Sequence, residues 1–184
     1  VEQISIDLFL IFYLRGILSG LNGTKEASAP FDKERNGFVM SEGSYVVILE
    51  ELQHAMDRGA HIYAEITGFG STFVGGKKHP EDVRVRRVEK AMHDALDNTE
   101  VKKEDIDFIS ANANGCKMQD AVETKAIQSY FGTGSSQIPV SAIKSNVGES
   151  YGASGAAQFI STVMSINTGQ IPHIINHNNK DPEI

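Results

Sequence analysis

Two stretches of this 184-residue chain carry the residue types that could do chemistry: residues 109–120 (ISANANGCKMQD) and 144–156 (KSNVGESYGASGA). The first holds the only thiol, Cys116, a candidate nucleophile that follows a glycine and has no histidine near it in sequence. A nucleophilic cysteine needs an adjacent base or a lowered pKa, so Cys116 reads instead as a small buried loop residue. Asn112 offers an amide that can donate a hydrogen bond, whereas Glu149, once ionised, can only accept. The six histidines, at positions 54, 61, 79, 93, 173 and 177, all fall outside both stretches. His173 and His177 would share a face only on a helix, which Pro172 and the asparagine-rich surroundings disfavour. With one cysteine there is no internal disulfide and no Cys/His metal set. The expectation is therefore no metal and no cofactor of the chain's own.

The elements that must position these stretches alternate between helix and strand. Ile4, Leu8, Ile11, Leu14 and Leu18 recur at helical spacing, and 20–30 reads as loop. The aliphatic run 45–49 is predicted to be a buried strand, 50–58 a short helix closed by Gly59, and 62–73 a second strand. A polar loop over 75–80 precedes a helix over 81–97, with Val85, Val88, Met92 and Leu96 on one face. Short strands at 106–110 and 138–141 lead into the two stretches, and helices are predicted at 121–131 and 152–168. Gly148, Gly152 and Gly155 read as close-packing glycines. The alternation predicts a layered α/β fold with one core.

Composition narrows the function classes. The chain is 40% hydrophobic with a net charge of -7, a balance that disfavours nucleic acid and acidic membrane surfaces. Arg84, Arg86 and Arg87 read as a solvated helix face. The most apolar run, 8–14, is far shorter than the roughly 20 residues of a spanning helix, so no membrane span is expected. The single cysteine fits a reducing cytoplasm.

The first stretch resembles the beta-ketoacyl-ACP synthase motif His-Gly-Thr-x-Thr-x-x-x-Asp, and the second resembles Lys-x-x-x-Gly-His-x-x-x-Ala-x-Gly. Aligning Asp120 puts Asn112 at the first histidine position, and aligning Lys144 and Gly148 puts Glu149 at the second. Residues 27–43 and 49–60 resemble two further blocks of that family in the right order. The resemblance implies a thiolase-like layered fold, with residues 1–184 forming mostly the C-terminal half of a ketosynthase, incomplete at both ends. The half bearing the nucleophile and the final strands with their Gly-Phe-Gly-Gly turn are not in the sequence. The sheet is therefore expected to lack ladder partners, and the chain to be a fragment, a split protein, or one completed by a partner.

The chemistry implied by the family is decarboxylative condensation, in which the two histidines donate hydrogen bonds to an enolate oxygen. With both replaced, no catalytic residue is expected here. Lys144, Glu123 and Asp120 match positions of a buried polar network behind the family's active site, read as a remnant that now serves stability. The pattern is similar to that of chain length factors, the silent ketosynthase beta subunits of type II polyketide synthases. That likeness implies an active ketosynthase alpha partner and transient contact with an acyl carrier protein, whose phosphopantetheine carries substrate for the partner. The missing ketosynthase segments would then lie in another chain or in a further part of this one. Two rivals are a split synthase, with Asn112 as a weak donor, and a docking scaffold unrelated to chain length.

Overall fold

The computed structural model describes residues 1–75 and 79–184. The elements in chain order are α1 (Ile6–Leu14), α2 (Leu52–Asp57), α3 (Glu81–Leu96), β1 (Ile109–Ser110), α4 (Lys117–Phe131), β2 (Val140–Ser141), α5 (Lys144–Val147) and α6 (Ser154–Thr168). The polar loop predicted at 75–80 lies partly outside the described residues.

The unit that organises the molecule is β1–α4–β2. The two strands are parallel, with Ile109 opposite Val140 and Ser110 opposite Ser141, and Ala111 N–H donates to Ser141 O at 2.7 Å to extend the ladder. Parallel neighbours need a crossover connection, here α4, which packs against α3. Beyond the strand ends, Ala111, Ala113 and Ala142 form a fully enclosed cluster. Their small side chains let the two motif loops approach closely, as interior packing at crystal-like density requires.

A second buried cluster joins the N-terminal segment to this unit. Ser5 Oγ accepts from Leu8 N–H and caps α1, the expected role of a serine at that position. The helix covers only 6–14 of the periodic stretch, because the chain turns at Gly16 with φ +66°. Phe12 from α1 meets Leu18 and Phe38 in the core, and its ring stacks on Tyr151 with centroids 4.5 Å apart. Segment 38–41 lies between these layers. Phe38 bonds to Ile17 and Ser19 on one side, while Val39 O and Ser41 N–H bond to Glu149 on the other.

Several predicted boundaries move. Residues 45–49 and 62–73 form no strand ladder among the described residues, so Val46, Ile48, Leu49 and Phe69 stand exposed. A strand is completed by a neighbour's amides and carbonyls, and these two segments have no such neighbour here. Backbone at 68–70 is held instead against α3, where a Cβ on Gly68 or Gly70 would fall about 2 Å from the carbonyl of Ala95 or Ala91. The helix predicted at 121–131 begins at Lys117, inside the first motif, and the one predicted at 152–168 begins at Ser154 after a tight turn over 151–153. The single-turn α5 is additional.

Of the three glycines read as close-packing, Gly148 is the one that packs as expected. It ends α5 at φ +77°, and a Cβ there would lie 2.8 Å from Ser41 Cβ. Gly152 meets only the end of the Glu2 side chain, and a Cβ at Gly155 would meet open space. The Gly148→Ala change is expected to lower stability by about 1–3 kcal/mol, through left-handed strain and this contact. Gly155→Ala is expected to leave it unchanged or slightly raised, since alanine is the better helix former. Urea unfolding of the two variants checks the contrast.

Candidate functional site

Because β1 and β2 run in the same direction, both strands release their chains at the same edge of the unit. The 111–116 loop and the 142–149 segment therefore face each other, which is how residues more than thirty positions apart come to share hydrogen bonds.

Lys144 is the centre of the site. Its ammonium donates to Asn112 Oδ1 at 2.6 Å and to Glu149 Oε2 at 2.8 Å. Both Lys144 and Glu149 are buried, whereas Asn112 is exposed. Asn112 and Glu149 are thus not paired to each other; the lysine bridges them. Glu149 is further held by Asn114 Nδ2 on Oε2 at 2.8 Å, and by Ser154 Oγ at 2.6 Å and Tyr151 N–H at 3.0 Å on Oε1. The Asn114 amide is oriented by its own oxygen, which accepts from Cys116 N–H at 3.1 Å. Burial alone would push the Glu149 carboxyl up, but the bonds from Lys144, Ser154 and Asn114 outweigh it and hold it below its ordinary value. The carboxylate is charged, and its acceptor sites are engaged by protein donors.

Asp120 forms a second centre, joined to the first through Asn114. Its carboxylate accepts from the backbone N–H groups of Phe31, Asn114 and Gly115 and lies 3.6 Å from Arg35 Nε. Arg35 is itself buried and donates to Asp32 O and to the Asp181 carboxylate. Lys144 makes no direct bond to Glu123 or Asp120, but Asn112 joins it to Glu123, and Glu149 with Asn114 joins it to Asp120, so the expected network is connected through intermediaries. Arg35, Asn114 and Ser154 are the residues sequence reasoning left out. Asn114 and Ser154 lie inside the two motifs, and Arg35 lies in the 27–43 block. Their identities carried a signal that only the packing made specific.

Glu123 accepts from Asn112 N–H at 2.7 Å and lines a cavity of about 330 Å³ with Asn112, Arg84, Arg87, Val88 and Val122. Burial, assisted by the negative charge of Asp120, pushes its carboxyl from 4.5 to about 7. Two of the three arginines read as a solvated face thus border this cavity. Cys116 precedes α4 and is partly buried, with its thiol pushed up to about 11 by burial and by the charges of Asp120 and Glu149. A thiol protonated at neutral pH is a poor nucleophile, which agrees with reading it as a loop residue.

The fold defines a ketosynthase-type C-terminal region. Residues 63–178 match the family model described as beta-ketoacyl synthase, C-terminal domain. The chain is 40% identical over 161 residues, 86% of its length, to a polyketide beta-ketoacyl synthase homologue of Streptomyces cyaneus. Among solved structures, it superposes on the ishigamide ketosynthase/chain length factor with a TM-score of 0.85 and 34% identity, covering 99% of this chain and 43% of that one. It also superposes on a chain of AntDE:AntF, a type II polyketide synthase acyl-carrier protein in complex with its ketosynthase, with a TM-score of 0.90 and 29% identity, covering 99% and 45%. The chain belongs to the beta-ketoacyl synthase family, and the thiolase-like α/β architecture is that of its C-terminal domain. It spans 38% of the length of the Streptomyces relative. Among the described residues, no helix is long and apolar enough to cross a membrane.

The raised carboxyl of Glu123 has a defined pH signature. Between about 4.5 and 7 the native state keeps a proton that the unfolded chain has shed, so stability falls as pH rises through that interval. Glu123→Gln is expected to remove this part of the slope, about 1–2 kcal/mol after solvent screening. Urea midpoints measured from pH 4.5 to 8 for both proteins check it.

Proposed function

We propose that this chain is the C-terminal part of a non-catalytic ketosynthase-like subunit, of the chain length factor type, which pairs with an active ketosynthase in type II polyketide or polyene biosynthesis. The observation that carries the reading is the buried, charged Glu149 at the position of the second family histidine. Condensation needs donors aimed at an enolate oxygen, and loss of one such donor typically costs about 10²–10³ in rate. An ionised carboxylate donates nothing, and its charge opposes both a malonyl carboxylate and the enolate. At the other position, Asn112 spends its oxygen on Lys144 and retains only its NH₂ group.

The retained scaffold supports a role in holding and shaping the partner rather than none at all. Lys144 bonded to Asn112 and Asn114 bonded to Glu149 keep the two motif loops in fixed relation, which is what an interface subunit needs in order to stabilise an active ketosynthase and shape its elongation tunnel. The acyl carrier protein is the transient partner, with its phosphopantetheine arm serving the active subunit in the cytoplasm.

The test uses the native assembly with malonyl-ACP as substrate. Changing the nucleophilic cysteine of the partner ketosynthase to alanine is expected to reduce condensation to background. Condensation that survives this change would overturn the reading in favour of a split synthase. A second measurement separates the scaffold role: an assembly in which this subunit is replaced by a chain length factor of different product range should change product length. Unchanged length would favour simple docking.

A further inference from the structure

The donors around Glu149 converge on it from four different parts of the chain. Lys144 Nζ comes from α5, Asn114 Nδ2 from the first motif loop, Tyr151 N–H from the turn over 151–153, and Ser154 Oγ from the start of α6. Two donors meet each carboxylate oxygen, at 2.6 to 3.0 Å. The second layer is also fixed. Ser154 Oγ, having donated its proton to Glu149, accepts from Ser150 N–H at 2.9 Å. Asn114 is oriented through Cys116 N–H, and Tyr151 is anchored by its stack on Phe12 at 4.5 Å with an interplanar angle of 9°. Tyr151 sits at φ +43°, a costly conformation for a non-glycine residue that turns its N–H toward the carboxylate.

We propose that these four groups form a preorganised seat for a small carboxylate, and that Glu149 is the internal ligand that fills it. On the silent-subunit reading, an external carboxylate, such as the free end of a malonyl group, would find these donors already occupied by Glu149. The seat's donors belong to the backbone and to side chains other than Glu149, so it persists when the glutamate side chain is shortened. Glu149→Ala removes a CH₂ group and a carboxylate, the atoms that acetate would return. The ligand class is therefore a carboxylate of acetate or formate size, bound by one ammonium and three neutral donors.

The experiment is thermal unfolding of the native assembly carrying Glu149→Ala, titrated with sodium acetate against sodium chloride at matched ionic strength. Stranding buried Lys144 is expected to lower the melting temperature by about 10 °C. Acetate is expected to recover at least half of that loss with a saturable dependence, while chloride does not. Wild type and Glu149→Gln, whose seats stay filled, should show no acetate-specific response. If Glu149→Ala does not fold alone, its refolding yield in acetate against chloride reads the same equilibrium. An equal response to both salts, or the same acetate response in wild type, would overturn the proposal. The silent-subunit reading fails differently, by condensation that survives loss of the partner's nucleophile.

Discussion

The buried pair of Lys144 and Glu149 is the constraint around which the rest of the structure is arranged. Two charges taken out of water are costly unless every remaining donor and acceptor is satisfied, and here the satisfaction is drawn from several elements. Lys144 reaches Asn112 at the end of β1, and Glu149 reaches Asn114, Tyr151 and Ser154. The pair therefore fixes the first motif loop, α5, the turn before α6 and α6 itself relative to one another. Glu149 also joins segment 38–41 through its backbone, so the same residue ties the motif loops to the aromatic cluster of Phe12, Phe38 and Tyr151.

Asp120 performs a parallel task on the other side of the first motif. Three backbone N–H groups from two loops end on one carboxylate that is fully excluded from solvent, and Arg35 balances its charge. Buried backbone donors must find partners, and the loops at 31 and 114–115 have no sheet to supply them. An aspartate at the first turn of α4 does so, and is also well placed with respect to the helix dipole. The two centres divide the work. One holds the loops at 31 and 114–115, and the other joins the two motif loops.

On the proposed silent-subunit reading, this division explains how a scaffold can outlast its chemistry. Catalysis in the family depends on donors pointing at an oxygen that develops charge, a requirement on the type of group at two positions. The fold depends on loop geometry, which requires buried polar groups to be satisfied but is indifferent to whether they are histidines. Glu149 is an acceptor, and Lys144, Asn114 and Ser154 balance it. The result is a stable loop pair with its polar groups turned inward.

The sequence by itself determined the family, the α/β class, the positions of the main helices and the identity of Asn112, Glu149, Lys144, Glu123 and Asp120 as the residues of interest. These follow from local periodicity and from motif spacing, both of which are written along the chain. It did not determine the pairing. Lys144 bonds Asn112 and Glu149, while Asp120 belongs to Arg35, eighty-five positions earlier; which acid meets which base is decided by the close approach of parallel strand ends and the alanine cluster beyond them. Nor could the apolar runs at 45–49 and 62–73 reveal that they lack ladder partners here. Strand propensity is a property of a segment, but a strand is a property of its neighbours, and only the tertiary structure supplies or withholds them.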